Sequence, residues 1–328
     1  MPRLLAINAV SGLGGAEIGL LRLIERLPDW QVTLTAPNSG PLMDEARRRG
    51  AAVESLALGG LAPGGGARAL GSWARARRLS RRHDVTYLNG TVAGRLLPAV
   101  KTKTVLHVHD LVTRVPSHWQ RATTILADSE AVADRLHPLA AHVVHCPVAL
   151  DTARAPAPPW PTDDPRPVVG YVGRIEPRKG VLDLVRAAPA IDARVVLVGD
   201  DTFGGDEEYG RLVAASTDVE HCGWIDDAAA IMGHLDVLVL PSYAEPFGTV
   251  LAEAMAAGTP VVATAVGGLP EVVGDAGLLV PPGRPDALAR AVNEVLARRD
   301  ELGPHAVARA RSYDADSYAR RVESLIAP

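Results

Sequence analysis

The stretch "SYAEPFGTVLAEAMAAGTPVVAT", residues 242–264, joins the end of one apolar strand to the start of the next through a helix. Pro246 keeps Glu245 outside that helix, because a residue before proline disfavours the α conformation. The helix is therefore predicted to begin near Gly248 and Thr249. A strand, a crossover helix and a second strand form the unit from which parallel sheets are built.

Two glutamates frame the start of this helix. Glu245 lies on the loop, and Glu253 lies one helical turn beyond Thr249 on the same face. Backbone amides at a helix N-terminus bind anions such as phosphate. Each glutamate alone has a structural explanation, as a solvated loop residue or as a favourable charge in the helix dipole. Their pairing around Phe247 and Gly248 favours a binding site.

Outward from this unit, short apolar runs alternate with helical patterns along nearly the whole chain. Such alternation predicts parallel sheets with helices on both faces. The alternation stops at residues 150–167, "LDTARAPAPPWPTDDPRP", where closely spaced prolines exclude a helix or a central strand. We predict an α/β fold with an N-terminal domain at 1–150, a linker at 151–167, a second domain at 168–310, and a C-terminal helix at 311–328 that packs back on the first domain.

The predicted strands are short and apolar. Before the proline-rich stretch they are "RLLAINAV", "QVTLTAP", "AAVESLAL", "DVTYLN", "KTVLHVH", "TTILAD" and "HVVHCP". After it they are "VVGYVGR", "ARVVLVGD", "VEHCG", "DVLVLPS", "TPVVAT" and "AGLLVPP". In doubly wound sheets, ligands bind beyond the carboxyl ends of the strands. We therefore expect functional residues in the loops that follow these runs.

Composition excludes several classes of protein. The chain has 328 residues, 47% of them hydrophobic, which is enough for two cores. Its net charge of -4 and its lack of a basic tail argue against a nucleic-acid partner. Cys146 and Cys222 fit no metal-binding spacing and are expected to be reduced, buried thiols. With no apolar run of membrane length and no signal-like N-terminus, we expect a cytoplasmic protein.

A basic helical segment at residues 67–83, "ARALGSWARARRLSRRH", raises the question of a membrane partner. Ala69, Trp73, Ala76 and Leu79 form an apolar stripe of the width needed to pack on a sheet, and most arginines face away from it. We expect a solvated basic face, with weak membrane-surface contact as the alternative.

The stretch "SGLGGAEIGL", residues 11–20, follows the first apolar run and predicts an anion at a helix N-terminus. Glu17 occupies the position of the third glycine in the dinucleotide fingerprint, which argues against a dinucleotide. No Lys-Ser or Lys-Thr follows, so the stretch is not a Walker loop. A sugar diphosphate and a tight turn without any ligand both remain open from this segment alone.

The motifs together resemble the retaining glycosyltransferases of the GT-B fold, especially glycosyltransferase family 4. The signature of those enzymes is E-x7-E, written here from Glu245 to Glu253. The stretches "GGAE", "HVHD", "ADS", "GRIEPRKG", "LPSYAEPFG", "EAMAAGTPVVAT" and "VGGLPEVV" follow in the order typical of the family. The resemblance implies two doubly wound parallel-sheet domains that face a central cleft, the first for the acceptor and the second for a nucleotide sugar.

In the second domain, the resemblance implies that Arg174 and Lys179 grip the donor diphosphate. Fixed cations there would stabilise the negative charge that grows on the leaving phosphate. Glu253 corresponds to the glutamate that holds the ribose hydroxyls, and Glu245 to the one near the donor sugar. The turn after "VLVGDD" departs from the family pattern, and no donor contact is assigned to it. Further donor contacts are implied for Phe247, Gly248 and Thr249, and for Ile225 beside the nucleobase.

In the first domain, Gly14 and Gly15 correspond to the loop that approaches the diphosphate and the sugar, and an acidic residue such as Glu17 belongs to that pattern. His109 corresponds to a histidine at the acceptor side of the reaction centre, where it would bind the donor sugar or orient the acceptor. We expect His107 to point to the opposite face of the strand as a core histidine. Asp110 and Ser129 are additional pocket candidates.

The implied function is transfer of a sugar, with retention, from a UDP- or GDP-sugar to a hydroxyl of a small molecule, natural product or envelope glycan. The implied route is front-face attack, in which the leaving phosphate takes the acceptor's proton. No D-x-D motif lies at a strand end, so we expect no metal and no cofactor besides the donor. The alternatives are a non-catalytic nucleotide-sugar-binding protein and an epimerase of the same fold. A phosphorylase or an oxidoreductase fits less well, because no pyridoxal lysine stands out and the third glycine is missing.

Overall fold

A computed structural model describes residues 1–58, 65–200 and 206–327, with the backbone alone for residues 65–70. The turn after "VLVGDD", from Asp201 to residue 205, lies outside the described residues. The chain forms two compact units. Unit 1 contains Met1–Pro147 and the C-terminal segment from Ala315, and unit 2 contains Val148–Asp314.

Within the described residues, unit 1 is built on a sheet of seven parallel strands. These are β1 (Arg3–Asn8), β2 (Gln31–Ala36), β3 (Ala52–Ser55), β4 (Val85–Asn89), β5 (Lys103–Val108), β6 (Thr124–Ala127) and β7 (His142–Val143). Their order in the sheet is β3-β2-β1-β4-β5-β6-β7. The order reverses between β1 and β4, and the crevice at such a switch point is where doubly wound sheets bind ligands.

Unit 2 contains a sheet of six parallel strands, again among the described residues. These are β8 (Val168–Val172), β9 (Arg194–Val198), β10 (Glu220–Gly223), β11 (Val237–Leu240), β12 (Val261–Thr264) and β13 (Gly277–Val280). Their order is β10-β9-β8-β11-β12-β13, so the switch point lies between β8 and β11. Strands β8, β9, β11 and β12 are buried along their whole length, as expected when helices cover both faces.

Helices fill the connections between the strands. They are α1 (Gly15–Glu25), α2 (Pro41–Arg48), α3 (Gly65–Ser80), α4 (Glu130–Asp134), α5 (Val181–Ala187), α6 (Glu207–Ala214), α7 (Thr249–Ala256), α8 (Leu269–Val273), α9 (Pro285–Ala297), α10 (Arg299–Ala310) and α11 (Ala315–Ile326). Helix α11 belongs to the core of unit 1. Its residues Tyr318, Val322 and Ile326 are buried there, at the four-residue spacing of one helix face.

The proline-rich stretch at residues 151–167 lies in unit 2 and is packed against it. Trp160 is buried, and the guanidinium of Arg194 donates a 2.8 Å hydrogen bond to the carbonyl of Pro161. The amide of Ala155 donates to the carbonyl of Ala230 at 2.8 Å. This stretch has no helix or strand, as its prolines predict, yet specific contacts hold it in place.

The alternation of strands and helices is confirmed, because each of the thirteen predicted runs forms a strand. The prediction of two buried thiols is wrong for Cys222, which is only half-buried because β10 is an edge strand. On α3, Ala76 and Leu79 are buried, whereas the side chain of Ala69 lies outside the described residues. Among the helices that the structure describes, none combines the length and apolarity needed to cross a membrane.

Candidate functional site

Lys179 and Glu245, far apart in the sequence, meet at the switch point of unit 2. Lys179 ends a 3₁₀ turn between β8 and α5, and Glu245 lies in the loop after β11. The Lys179 Nζ donates to Glu245 Oε2 at 2.5 Å, and the Ser242 hydroxyl donates to the same oxygen at 3.3 Å. The two side chains are 14% and 10% exposed, so water screens their attraction only weakly.

Arg174 lies in the loop that follows β8, beside a second acidic residue. Its Nη1 is 3.3 Å from Glu176 Oε2, and Arg178 Nη2 is 3.0 Å from Glu176 Oε1. Arg178 also donates to the carbonyl of Ala244 at 2.9 Å, which ties this turn to the loop of Glu245. The loops after β8 and β11 therefore present Lys179 and two arginines together. Glu176 and Arg178 were not predicted from the sequence.

The start of α7 depends on a glycine. Gly248 caps the helix with a φ of 91°, and a Cβ there would lie 2.5 Å from Leu269 Cδ2. Thr249 is the first helical residue, so the first amides of α7 have no partner within the helix. The Phe247 ring is buried against Tyr313, edge to face at 5.3 Å. Its side chain is thus part of the core, which leaves only its backbone for the predicted donor contact.

Glu253 lines a cavity of about 180 Å³ within unit 2. Thr152 and Arg154 from the proline-rich stretch are the other polar side chains of this cavity, and alanines form much of its wall. Arg154 Nη2 donates to His234 Nδ1 at 3.0 Å, which holds the arginine at the cavity. Glu253 is therefore placed one helical turn from the start of α7, with hydroxyl and guanidinium groups around it.

Ile225 lies in the loop after β10, at the carboxyl edge of the same sheet, and is half-buried. The preceding Trp224 is 46% exposed, and its Nε1 lies 3.3 Å from Asp226 Oδ1. The exposed aromatic residue of this loop is therefore Trp224, next to Ile225, to which the resemblance assigns the nucleobase contact.

In unit 1, the loop that contains Gly14 and Gly15 follows β1 and leads into α1. Gly14 caps the helix in an extended conformation, and Gly15 is exposed at its first position. Glu17 turns back toward the strand end, where its Oε1 accepts a 3.2 Å hydrogen bond from Asn8 Nδ2. A Cβ on Gly14 would lie 2.9 Å from Glu17 Oε2, so the carboxylate sits directly against the loop.

His109 follows β5 and contacts the ends of two neighbouring strands. Its Nδ1 is 2.8 Å from Asp128 Oδ2, after β6, and its Nε2 is 2.8 Å from Asn89 Oδ1, at the end of β4. The prediction that His107 points to the opposite face is wrong, because residues two apart share one face of a strand. The rings of His107 and His109 are 4.0 Å apart, and His107 Nε2 lies 2.8 Å from Asp128 Oδ1.

These close contacts set the charges of the cluster. Burial disfavours charge on His109, but the carboxylate of Asp128 outweighs burial and raises the pKa of His109. Burial, helped by the charge of His109, lowers the pKa of His107 to about 4. Burial alone would raise the pKa of Asp128, but the two histidines lower it below its ordinary value. The contacts within the cluster therefore favour the charged forms of His109 and Asp128 and the neutral form of His107.

The same cluster brings possible metal ligands together, since atoms of His107, His109 and Asp128 lie within 4.8 Å of one another. Each carboxylate oxygen already faces a ring nitrogen at 2.8 Å. The Asp128 carboxylate thus lies between two imidazole rings, but His107 Nε2 and Asp128 Oδ1 do not meet the geometry of a hydrogen bond.

Asp110 lines an open cavity of about 420 Å³ in unit 1. Thr91 donates to Asp110 Oδ2 at 3.1 Å, and Arg95, Arg114 and His118 supply the basic part of the wall. Ser129 has a structural contact instead, since its buried hydroxyl accepts from the amide of Val132 and caps α4.

Three further residues of this cluster were not predicted from the sequence: Asp128, Asn89 and Asn8. Asp128 and Asn89 stand at the carboxyl ends of the apolar runs "TTILAD" and "DVTYLN", and Asn8 is the polar residue near the end of "RLLAINAV". A polar side chain at that end of a buried parallel strand is the signal that would have found them, because the neighbouring strand ends converge there.

A model of one protein family matches part of the second unit. The family model described as "Glycosyl transferases group 1" matches residues 166–298. The chain is 41% identical to a D-inositol 3-phosphate glycosyltransferase of Mycobacteroides abscessus over 143 residues, which are 40% of this chain and 32% of that protein. It is 36% identical to a 2-deoxystreptamine glucosyltransferase of Streptomyces kanamyceticus over 197 residues, 54% of this chain and 49% of that protein. The chain thus spans a third to a half of the length of these two relatives.

Solved structures extend the likeness in fold to the whole chain. HepE of Anabaena, in complex with UDP and glucose, superposes with a TM-score of 0.83 over 100% of both chains at 22% identity. Sucrose-phosphate synthase of Thermosynechococcus elongatus gives a TM-score of 0.79 over 99% of this chain and 98% of that one, at 24% identity. The predicted resemblance is confirmed: the chain contains a glycosyl transferases group 1 domain at residues 166–298, within the two-domain fold of the GT-B glycosyltransferases.

Proposed function

We propose that this protein is a retaining, metal-independent glycosyltransferase that moves a sugar from a UDP- or GDP-sugar to an acceptor hydroxyl. The observation that carries the proposal is the pairing of Lys179 and Glu245 at the switch point of unit 2, within the matched family domain. The named activities of the curated relatives support glycosyl transfer, and the UDP complex of HepE supports a nucleotide-sugar donor.

Charge on the leaving group is the main demand of this reaction. As the bond from the sugar to the phosphate oxygen breaks, the departing nucleoside diphosphate gains negative charge. Lys179 and Arg174 stabilise that charge, and such fixed groups are worth most where water is excluded. The diphosphate and sugar would be contacted by the backbone amides of Phe247, Gly248 and Thr249. Gly14 and Gly15 would also contact them, and Ile225 would contact the base.

Retention requires either a carboxylate nucleophile or attack from the side of the leaving group. Glu245 accepts from both Lys179 and Ser242, and these contacts reduce its nucleophilicity. We therefore favour front-face attack, with the leaving phosphate taking the acceptor's proton. Glu245 would then position the donor sugar beside Lys179. The acceptor would bind unit 1, in the cavity lined by Asp110, the residue that follows His109 in the sequence.

The direct test is turnover with UDP- and GDP-sugars and a panel of small-molecule and glycan acceptors. We expect acceptor-dependent release of UDP or GDP that is unchanged by EDTA, and a product whose anomeric proton coupling matches that of the donor. Nucleotide binding without release would favour the non-catalytic alternative. An inverted product would contradict retention, and loss of activity in EDTA would contradict metal independence.

Replacing Glu253 by glutamine is expected to remove most of the thermal stabilisation that the donor nucleotide gives. A ligand present at about 100 times its Kd stabilises a protein by about 2.7 kcal/mol. Losing a charged hydrogen-bond acceptor costs about 1.5–3 kcal/mol of that interaction. The melting temperature is measured with and without UDP or GDP. Glu294→Gln, at an exposed glutamate of α9, is the matched control, and an unchanged shift in Glu253→Gln would rule out the ribose contact.

A further inference from the structure

A chain of buried polar side chains runs along the carboxyl ends of four neighbouring strands in unit 1. It starts at Glu17 on α1 and continues through Asn8 of β1, Asn89 of β4 and His109 after β5, to Asp128 after β6. Asn8, Asn89 and Asp128 are between 1% and 3% exposed, so their polar groups bind one another rather than water. The direction of each hydrogen bond can therefore be followed from one end to the other.

The orientation of Asn8 is fixed by two acceptors. One side of its amide faces the backbone carbonyl of Val10 at 2.9 Å and the Glu17 carboxylate at 3.2 Å. Both are acceptors, so the NH₂ group of Asn8 must lie on that side. Its Oδ1 then faces Asn89 at 2.8 Å and must accept.

Asn89 is oriented in turn by Asn8. Its Nδ2 donates to Asn8 Oδ1 and also approaches the carbonyl of Ala16 at 3.5 Å. Its Oδ1 is left to face His109 Nε2 at 2.8 Å. An amide oxygen accepts only, so His109 Nε2 carries a proton.

The other ring nitrogen of His109 also faces an acceptor. Its Nδ1 lies 2.8 Å from Asp128 Oδ2, a carboxylate oxygen. We propose that this chain of hydrogen bonds holds His109 as an imidazolium, with protons on both nitrogens, and that Asn8, Asn89 and Asp128 are the residues that position it.

The surrounding charges agree with this assignment. Asp128 raises the pKa of His109 against the effect of burial, and Glu17 and Asp110 add to the rise. His107 is the neighbouring titratable ring, and burial together with the charge of His109 lowers its own pKa to about 4. Because the pKa of His109 is raised, its proton is lost at a higher pH than the proton of an ordinary histidine.

The consequence for the reaction rests on the proposed function. An imidazolium has no lone pair, so His109 cannot take the proton of an acceptor hydroxyl as a general base. It can supply positive charge and a donated hydrogen bond to an oxygen that replaces Asn89 Oδ1. Proton removal is then left to the leaving phosphate, as front-face attack requires.

Nitrogen NMR of the histidine rings tests this inference without any substrate. The full chain is labelled with ¹⁵N-histidine, and spectra at pH about 7.5 are compared, one unit above the ordinary histidine pKa of about 6.5. We expect both ring nitrogens of His109 to be protonated. His83 is the internal control, because its Nδ1 faces the carbonyl of Leu79 and its Nε2 faces the Thr33 hydroxyl, which can donate as well as accept, so its contacts do not require protons on both nitrogens. His109→Gln and His83→Gln assign the signals.

Variants of Asn89 separate positioning from general structure. Asn89→Leu removes the acceptor and should move the titration of His109 to lower pH, whereas Asn89→Asp keeps an acceptor and should not. A neutral His109 in the wild-type protein at pH about 7.5 would overturn the inference, and so would equal titration in Asn89→Leu and Asn89→Asp. Neither readout depends on turnover, so failure here leaves the proposed transferase activity standing, and failure of that activity leaves the protonation of His109 measurable.

Discussion

Replacing Lys179 by alanine is expected to lower kcat by about 10²–10³-fold, the usual cost of removing one group that stabilises developing negative charge. Lys179 is the cation nearest to Glu245, and the pair is mostly shielded from water. The nucleotide released per minute at saturating donor measures the effect. Lys101→Ala, at an exposed lysine of unit 1, is the matched control and should leave kcat unchanged.

The competing explanation for a defect in Lys179→Ala is simple loss of a structural ion pair. That variant leaves the Glu245 carboxylate largely buried with Ser242 as its remaining described donor, which costs about 1–3 kcal/mol. The double variant Lys179→Met with Glu245→Gln removes both charges and should recover most of that stability. We expect the double variant to stay inactive. Recovery of turnover together with the melting temperature would mean that the pair is only structural.

Much of the fold could be predicted, because the apolar runs and the glycine and proline positions in the sequence agree with the elements that the structure buries. Each apolar run became a strand, and the helix after Pro246 begins where the glycine and proline pattern places it. Prolines in residues 151–167 excluded regular structure correctly, but they did not reveal how firmly that stretch is held. Its contacts, such as Arg194 to the carbonyl of Pro161, join residues more than thirty positions apart and leave no local pattern.

The site could be predicted only in part for a related reason. Motifs identified Lys179 and Glu245 separately, whereas their contact depends on the strand order that brings β8 beside β11. The partners of His109 were missed because Asn89 and Asp128 come from strands on either side of β5, and periodicity along one strand does not show its neighbours. His107 was misassigned by an error of strand period, since residues at i and i+2 share a face.

Replacing Gly180 by alanine is expected to destabilise unit 2 by about 2–4 kcal/mol and to abolish most activity. Gly180 has a φ of 66°, which alone costs an L-residue about 1–2 kcal/mol. An added Cβ would also lie 2.0 Å from the carbonyl oxygen of Pro241, and backbone cannot move aside as a side chain end can. The turn that carries Lys179 would be pushed away from the loop of Glu245, so the two charges would separate.

Gly223→Ala is the matched control for this prediction, because Gly223 has nearly the same φ, 68°, in the same unit, with nothing within 4 Å of an added Cβ. It should show only the cost of the left-handed conformation. Urea unfolding gives the difference in stability, and turnover at a temperature where both variants are folded gives the effect on Lys179. If the two variants unfold at the same urea concentration, the close approach of Gly180 to Pro241 does not hold the Lys179 turn in place. If Gly180→Ala is unstable but fully active while folded, the position of Lys179 relative to Glu245 does not set the rate.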